Sequence, residues 1–237
     1  MLIVPEKDIA DLMTREAAFD AVEQVFAAMA SDDAYSFPVV REAIGHEDAL
    51  YGFEGGFDRA AMVGGNLLTA LRTAAASSVS IKHLARPDAK VLGMIGAGHQ
   101  ATFQLRAALE QRSFERVIGW NYHPDMLPNI ASVAEEAGLP FEAVDLPGMA
   151  QADGIISITS AFAPSLMADH VSPGTHIACM GTDTKGKQEV EAALLARASI
   201  FTDEVAQSIS IGEAQHAIAA GLISEGDIHQ IGAVING

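Results

Sequence analysis

The 237-residue chain has one cysteine, Cys179, which excludes an internal disulfide and fits a reducing, cytoplasmic setting. It is also poor in cations, with 14 Lys and Arg against 31 Asp and Glu, a net charge of −17. That balance argues against nucleic acid, whose phosphates are held by neutralising Lys and Arg side chains. Long hydrophobic runs are missing too. Although 49% of the residues are hydrophobic, charge or glycine interrupts each apolar stretch well before membrane-spanning length, so no membrane partner is expected. Met1-Leu2-Ile3-Val4-Pro5-Glu6 turns acidic at once and lacks a signal-peptide pattern. The eight histidines show no paired ligand spacing, and one cysteine cannot complete a usual zinc site, so no metal is expected. No serine-nucleophile elbow is present. What remains is apolar content enough for one large domain or two small ones. A few arginines stand out against the acidic background as candidate anion ligands.

The most informative stretch is Lys90-Val91-Leu92-Gly93-Met94-Ile95-Gly96-Ala97-Gly98-His99-Gln100-Ala101. An apolar run typical of a buried strand breaks at Gly-Ala-Gly and resumes as a helical pattern through Phe103, Leu105 and Leu109. The spacing is G-x-G-x-x-A, a dinucleotide fingerprint with alanine in the last small position. Gly96 permits the tight turn, Gly98 lets backbone approach a pyrophosphate, and Ala101 lets helix lie close on strand. The helix N-terminus then meets the phosphates with its favourable dipole end.

Around this motif the chain alternates strands and helices: strand 90–95, helix 99–111, strand 116–120, helix 124–137, strands 141–144, 154–158 and 176–180, helix 187–197, and strand 199–202. The alternation predicts parallel βαβ units in a doubly wound α/β sheet. Upstream, residues 1–30 read as two helices, with Thr14 an N-cap and Phe19, Val22, Phe26 and Met29 on one face. Segments 36–41 and 49–53 read as short strands, and Asn66 as the cap of a helix from Leu67 to Leu84. Residues 211–235 read as helical with a short apolar finish.

Candidate site residues follow from the strand ends, where ligands of such sheets collect. Asn121 occupies the position after the second strand where an acidic residue normally holds the ribose. No arginine follows it to clamp a 2′-phosphate, which favours NADH, with NADPH as the alternative. Thr159 and Ser160 end a further strand and fall beside the cofactor, unless they form a simple polar turn. Asp183 is a carboxylate at the next strand end, placed to exchange a proton with a substrate nitrogen, unless it only turns the loop. Arg72, on or beside an apolar helix face, predicts an anion partner, and Arg41 closes a strand where it could assist.

Four segments together, Ala70-Leu71-Arg72-Thr73-Ala74-Ala75-Ala76, Ala85-Arg86-Pro87-Asp88-Ala89, Ile95-Gly96-Ala97-Gly98-His99-Gln100-Ala101 and Gly181-Thr182-Asp183-Thr184-Lys185-Gly186-Lys187-Gln188-Glu189, resemble the ornithine cyclodeaminase/μ-crystallin family. Phe37 to His46 and the Thr182–Gly186 loop look most like its members that reduce iminosuccinate to aspartate. The resemblance implies a Rossmann domain at 88–205. It also implies a smaller, split α+β substrate and dimerisation domain of 1–87 with 206–237, in a homodimer. Arg72, assisted by Arg41, would bind the substrate α-carboxylate, and Asp183 would be the acid/base group. Gly96, Gly98, His99 and Gln100 would line the pyrophosphate, Asn121 the ribose, and Thr159, Ser160 and Thr73 the remaining cofactor. Related chemistries are the ammonia-releasing cyclisation of ornithine with tightly held NAD, and non-enzymatic cofactor binding. Two departures stand out. Glu54 takes the place of a family lysine that contacts the substrate carboxylate, a repulsive change unless it is protonated or turned away. Met62-Val63-Gly64 also joins segments that relatives separate by further strands.

Overall fold

The computed structural model describes residues 2–35, 41–43, 50–52, 61–63 and 65–237. In chain order the elements begin with β1 (Leu2–Val4), α1 (Glu6–Leu12), α2 (Arg15–Ala30), β2 (Arg41–Ala43), β3 (Leu50–Gly52), β4 (Ala61–Val63) and α3 (Gly65–Leu84). The central run is β5 (Val91–Ile95), α4 (His99–Leu109), β6 (Arg116–Trp120), α5 (Pro128–Glu136), β7 (Phe141–Ala143), β8 (Gly154–Ser157), β9 (Phe162–Leu166) and β10 (His176–Cys179). After it come β11 (Gln188–Val190), α6 (Ala192–Leu195), β12 (Ile200–Thr202), α7 (Val205–Ser210), α8 (Gln215–Ala219), β13 (Ile228–Gln230) and α9 (Ile231–Asn236).

The main sheet runs β10-β8-β5-β6-β7, every pairing parallel. The chain goes one way from β5 through β6 to β7, then returns to the other side of β5 for β8 and β10. The direction of winding therefore reverses between β5 and β8, which opens a crevice at their carboxyl ends.

Strand alternation divides the core between the two faces of this sheet. Leu92 and Met94 of β5 join Val117, Ile156 and Ala178 under α3, α4 and α5, with Ile81, Ala101, Leu105 and Ile130. Ile95, Ile118 and Ile155 point to the opposite face, where Met149, Leu166, Val190, Leu194 and Ala217 cover them. Leu92, Met94, Ile118 and Ile155 are fully buried, and each such side chain contributes about 1.5–3 kcal/mol.

Thr14 caps α2 as the sequence predicts, accepting from Ala17 N at 3.1 Å. Asn66 lies inside the first turn of α3, which begins at Gly65. Three expectations are corrected. Residues 187–197 are the short strand β11 followed by the single turn α6, because Gln188 N donates to Ala161 O at 3.0 Å and draws the segment alongside β9. Residues 124–137 begin as a 3-10 turn, Pro124–Met126, before α5. Residues 211–235 are α8, β13 and part of α9, interrupted at Gly221, whose φ of +67° ends a helix. No described helix is long and apolar enough to cross a membrane.

The last helix packs on α2, where Asn236 Nδ2 donates to Ala27 O and Ser31 Oγ, both at 3.0 Å. The approach is close enough that a Cβ on Gly232 would lie 1.9 Å from Phe26 O. At the far end of α3, Arg112 donates to Lys82 O at 2.7 Å and Ala85 O at 2.9 Å, satisfying carbonyls that the helix leaves open.

Candidate functional site

The crevice is built by the turns that follow β5, β6, β8 and β10. Gly96 adopts φ +104°, and a Cβ there would fall 2.4 Å from Ile158 O, so only glycine lets β5 and β8 close on each other. Gly96 N donates to Trp120 O at 3.0 Å, and Ile158 N to Ile95 O at 2.8 Å, which pins the turn from both sides. Gly98 is different in kind. It caps α4 with no side-chain cap bond, and a Cβ there would meet nothing within 4 Å. The helix N-terminus therefore opens onto free space with its dipole facing outward. His99 is exposed and packs edge-on to Phe103, while Gln100 buries its Oε1 without a partner. An open notch and an uncapped helix end fit a dinucleotide pyrophosphate.

Asn121 is placed at the end of β6 as expected, but both ends of its amide are engaged. Its Oδ1 accepts from Ala97 N at 3.0 Å, and its Nδ2 donates to His123 O at 2.8 Å. Asn129 donates to Ala97 O at 3.0 Å, so two asparagines grip the central residue of the glycine turn. Tyr122 beside them is exposed.

Across the crevice Ser160 is exposed, while Thr159 turns inward. Its N–H and its hydroxyl donate to Glu189 Oε1 at 2.7 and 2.8 Å. The same oxygen accepts from Ser157 Oγ at 2.7 Å, and Oε2 accepts from Gly181 N at 2.7 Å. Glu189 is fully buried. Burial pushes its carboxyl above the usual range, and these four donors oppose that rise. Glu213 lies behind it, also pushed up chiefly by burial and accepting from Thr182 Oγ1, Val190 N and Glu189 N. Burial and the two carboxylates together hold the Cys179 thiol well above its ordinary value, which leaves it inert as a nucleophile.

Asp183 sits on the loop between β10 and β11, half-exposed, with its Oδ1 2.7 Å from Lys187 Nζ. Gln215 clamps the base of that loop, accepting from Gly186 N at 2.7 Å and donating to Gly212 O at 2.9 Å. Arg72 is exposed and Thr73 half-buried on α3, the helix that packs against α4 and β10. Arg72 is thus exposed where the sequence reading placed it on or beside an apolar face. Arg41 lies on β2, paired with Gly52 of β3, and Glu54 lies outside the described residues. The structure therefore brings Gly96, Gly98, His99, Gln100, Asn121, Thr159, Ser160 and Asp183 to one edge of the sheet. The sequence alone does not single out Glu189, Glu213 or Asn129. Glu189 had one available signal, a carboxylate within the apolar neighbourhood of Val190, Leu194 and Leu195.

Comparison with known proteins agrees with this arrangement. The iminosuccinate reductase of Paracoccus denitrificans is 60% identical over 276 residues, covering 100% of this chain and 86% of that protein. That span exceeds the 237 residues here by 39, in keeping with internal segments missing from this chain. Its crystal structure in complex with NAD+ superposes with a TM-score of 0.94, over 99% of this chain and 85% of that one. An archaeal alanine dehydrogenase dimer with bound NAD gives a TM-score of 0.89 at 27% identity, over 99% and 84%. The profile of the ornithine cyclodeaminase/mu-crystallin family matches residues 45–237, and the chain belongs to that family.

Proposed function

We infer that this chain is an NAD(H)-dependent imine reductase whose favoured substrate is iminosuccinate, reduced to L-aspartate. One observation carries the reading: the G-x-G-x-x-A turn opens onto a notch at the sheet edge, in a chain 60% identical to an iminosuccinate reductase solved with NAD+. A nicotinamide bound there supplies hydride to the imine carbon. The protein's part is to bind, orient and manage the proton. Asp183 exchanges a proton with the imine nitrogen, because the protonated imine is the better electrophile. Lys187, 2.7 Å away, holds that carboxylate in place. Arg72, assisted by Arg41, binds a substrate carboxylate and fixes the approach angle. His99 and Gln100 line the pyrophosphate, with Asn121 toward the ribose and Thr73, Thr159 and Ser160 toward the rest of the cofactor.

The same reading divides the chain into a dinucleotide domain of 88–205 and a substrate and dimerisation domain of 1–87 with 206–237. It makes the protein a cytoplasmic homodimer serving aspartate synthesis. The packing of α9 on α2 supports the split domain.

The test follows NADH absorbance with iminosuccinate, then with ammonium plus glyoxylate, pyruvate or oxaloacetate, and with ornithine. Arg72→Ala is expected to raise KM by on the order of 10–100-fold, the loss of a charge-assisted contact, with NADH affinity unchanged. Asp183→Asn is expected to lower kcat by roughly 10²–10⁴-fold. NADH binding without reduction of any imine, with no gain from Glu54→Lys, would instead favour a non-enzymatic cofactor-binding protein. The 39 aligned positions that this chain lacks are the observation that favours that second reading.

A further inference from the structure

The two strand ends that bear Thr159-Ser160 and Asp183 are neighbours in the sheet, paired as far as Cys179 with Ser157 and by Met180 N donating to Ser157 O at 2.7 Å. Beyond that last rung they turn into separate crossovers, and one side chain bridges them there. Glu189 reaches up from β11 and places one carboxylate oxygen on the β8 end, at Ser157 and Thr159, and the other on the β10 end, at Gly181 N. The loops meet so closely that a Cβ on Gly181 would lie 2.1 Å from Thr159 O. Glu213 fixes the bracket itself, since Glu189 N and Val190 N donate to its Oε1 at 2.9 and 2.8 Å. Its other oxygen takes the hydroxyl of Thr182, the residue before Asp183. For stability alone, an apolar side chain of similar volume in a fully buried position avoids the cost of desolvating a carboxylate. The acid is explained by what its donors have in common: all lie on the two strand ends that flank the crevice.

We propose that Glu189 is a positioning residue for hydride transfer, setting the spacing between the Thr159-Ser160 strand end and the Asp183 loop. The proposal rests on the functional reading above and assigns a role to a residue outside it. Its physical content is specific. A carboxylate accepts on both oxygens, whereas the amide of Glu189→Gln accepts on only one. Whichever way that amide turns, its NH2 faces either Thr159 N–H or Gly181 N–H, and one of the two strand ends loses its tie to residue 189 beyond the last rung of the ladder.

The experiment compares the parent with Glu189→Gln by hydrogen exchange, NADH titration and steady-state kinetics with iminosuccinate. Amide exchange in 157–161 or 180–184 should quicken by at least about tenfold, the loss of one hydrogen bond to a charged group, while 91–95 keeps its parental rate. The Kd for NADH should change by less than kcat, because the pyrophosphate grip at Gly96–Gly98 is untouched even where the Thr159-Ser160 end is loosened. The kcat should fall by roughly 10–100-fold, the scale of a sub-ångström to 1 Å misplacement, with KM little changed. The primary isotope effect from 4-deuterated NADH should rise to its full value as hydride transfer becomes limiting. Glu189→Asp, whose carboxylate is drawn back by one methylene and cannot span both strand ends, should give the same split if the amide variant does not fold. Ser157→Ala, which leaves both backbone bonds in place, should stay close to parental. Parental exchange in both segments would overturn the proposal. So would a loss of kcat matched by the loss of folded protein, with an unchanged isotope effect. Asp183→Asn separates the two levels. If it retains kcat, the acid/base assignment falls. If it loses kcat while Glu189→Gln does not, only the role of Glu189 falls.

Discussion

Gly96 and Gly98 are two residues apart in one motif, and the structure predicts opposite consequences for replacing them. Alanine at Gly96 must hold φ near +104° and place a methyl 2.4 Å from Ile158 O. A side chain forced into that backbone region costs about 1–3 kcal/mol. Moving β8 away by the roughly 0.6 Å needed to relieve the overlap costs about 1–3 kcal/mol more, the usual range for overpacking. Together these lower Tm by roughly 5–20 °C, at about 2–4 °C per kcal/mol for a chain of this size. Alanine at Gly98 meets nothing within 4 Å, and φ there is −74°, so the fold is unaffected or stabilised by up to about 1 kcal/mol. Valine at Gly98 keeps the fold but fills the notch, and NADH affinity should drop about tenfold or more for each charge-assisted bond to phosphate that is lost. Thermal melts, circular dichroism and NADH fluorescence titration on the three variants decide the matter. A Gly96→Ala protein with the parental Tm, or a Gly98→Val protein with the parental Kd, would refute the assignment of fold to one glycine and ligand to the other.

Three further outcomes are expected. His176 is held down at about 4, chiefly by burial and then by the nearby Arg112 charge, and its Nε2 lies 3.1 Å from Ser80 Oγ. A group depressed from 6.5 to about 4 contributes stability that is complete above pH 6.5 and is lost as pH falls toward 4. Urea unfolding should therefore show about 2 kcal/mol less stability at pH 5 than at pH 8 from this group, a difference that His176→Gln removes. The raised carboxyls of Glu189 and Glu213 act in the opposite sense, gaining stability as pH falls, but they are common to both proteins and cancel in the comparison. For Arg112→Gln, withdrawal of the guanidinium from Lys82 O and Ala85 O should cost about 1–3 kcal/mol, read as a shift in the unfolding midpoint. Finally, kcat/KM should be at least about tenfold higher with NADH than with NADPH, since no arginine follows Asn121 to pair with a phosphate. Equal or reversed values would overturn that preference.

The residues around Gly96 were legible because the motif is local: a buried strand, a tight turn and a helix start, all within twelve positions. Alternation of strands and helices implies a parallel sheet whose strand ends share one edge, so Asn121, Thr159 and Asp183 are assigned to that edge from sequence, whereas the strand order is not. β11 was not legible. Val190, Leu194 and Leu195 have helical spacing, and nothing local announces that Ala161 O will capture Gln188 N and draw that segment alongside β9. Long-range pairing outweighed local periodicity there. The Glu189 bracket was hidden for a related reason. Two of its four donors are the backbone N–H groups of Thr159 and Gly181, which carry no side-chain signature, and the hydroxyls of Ser157 and Thr159 lie about thirty residues away in sequence. Asn121 shows a third kind of loss, since its position could be read but not the strut it forms to Ala97.

The contact of α9 with α2 joins residues more than two hundred positions apart, and this has a consequence for synthesis. As the chain leaves the ribosome, the surface around Phe26 and Ala30 that Gly232 will cover stays bare until about two hundred further residues have been made. At about 5–20 residues per second, that wait is roughly 10–40 s. β5 through β10 can pair during the same interval, so the sheet has the opportunity to form before α2 gains its last neighbour. During that interval the open face of α2 is an aggregation hazard, and a holding chaperone is expected to bind it.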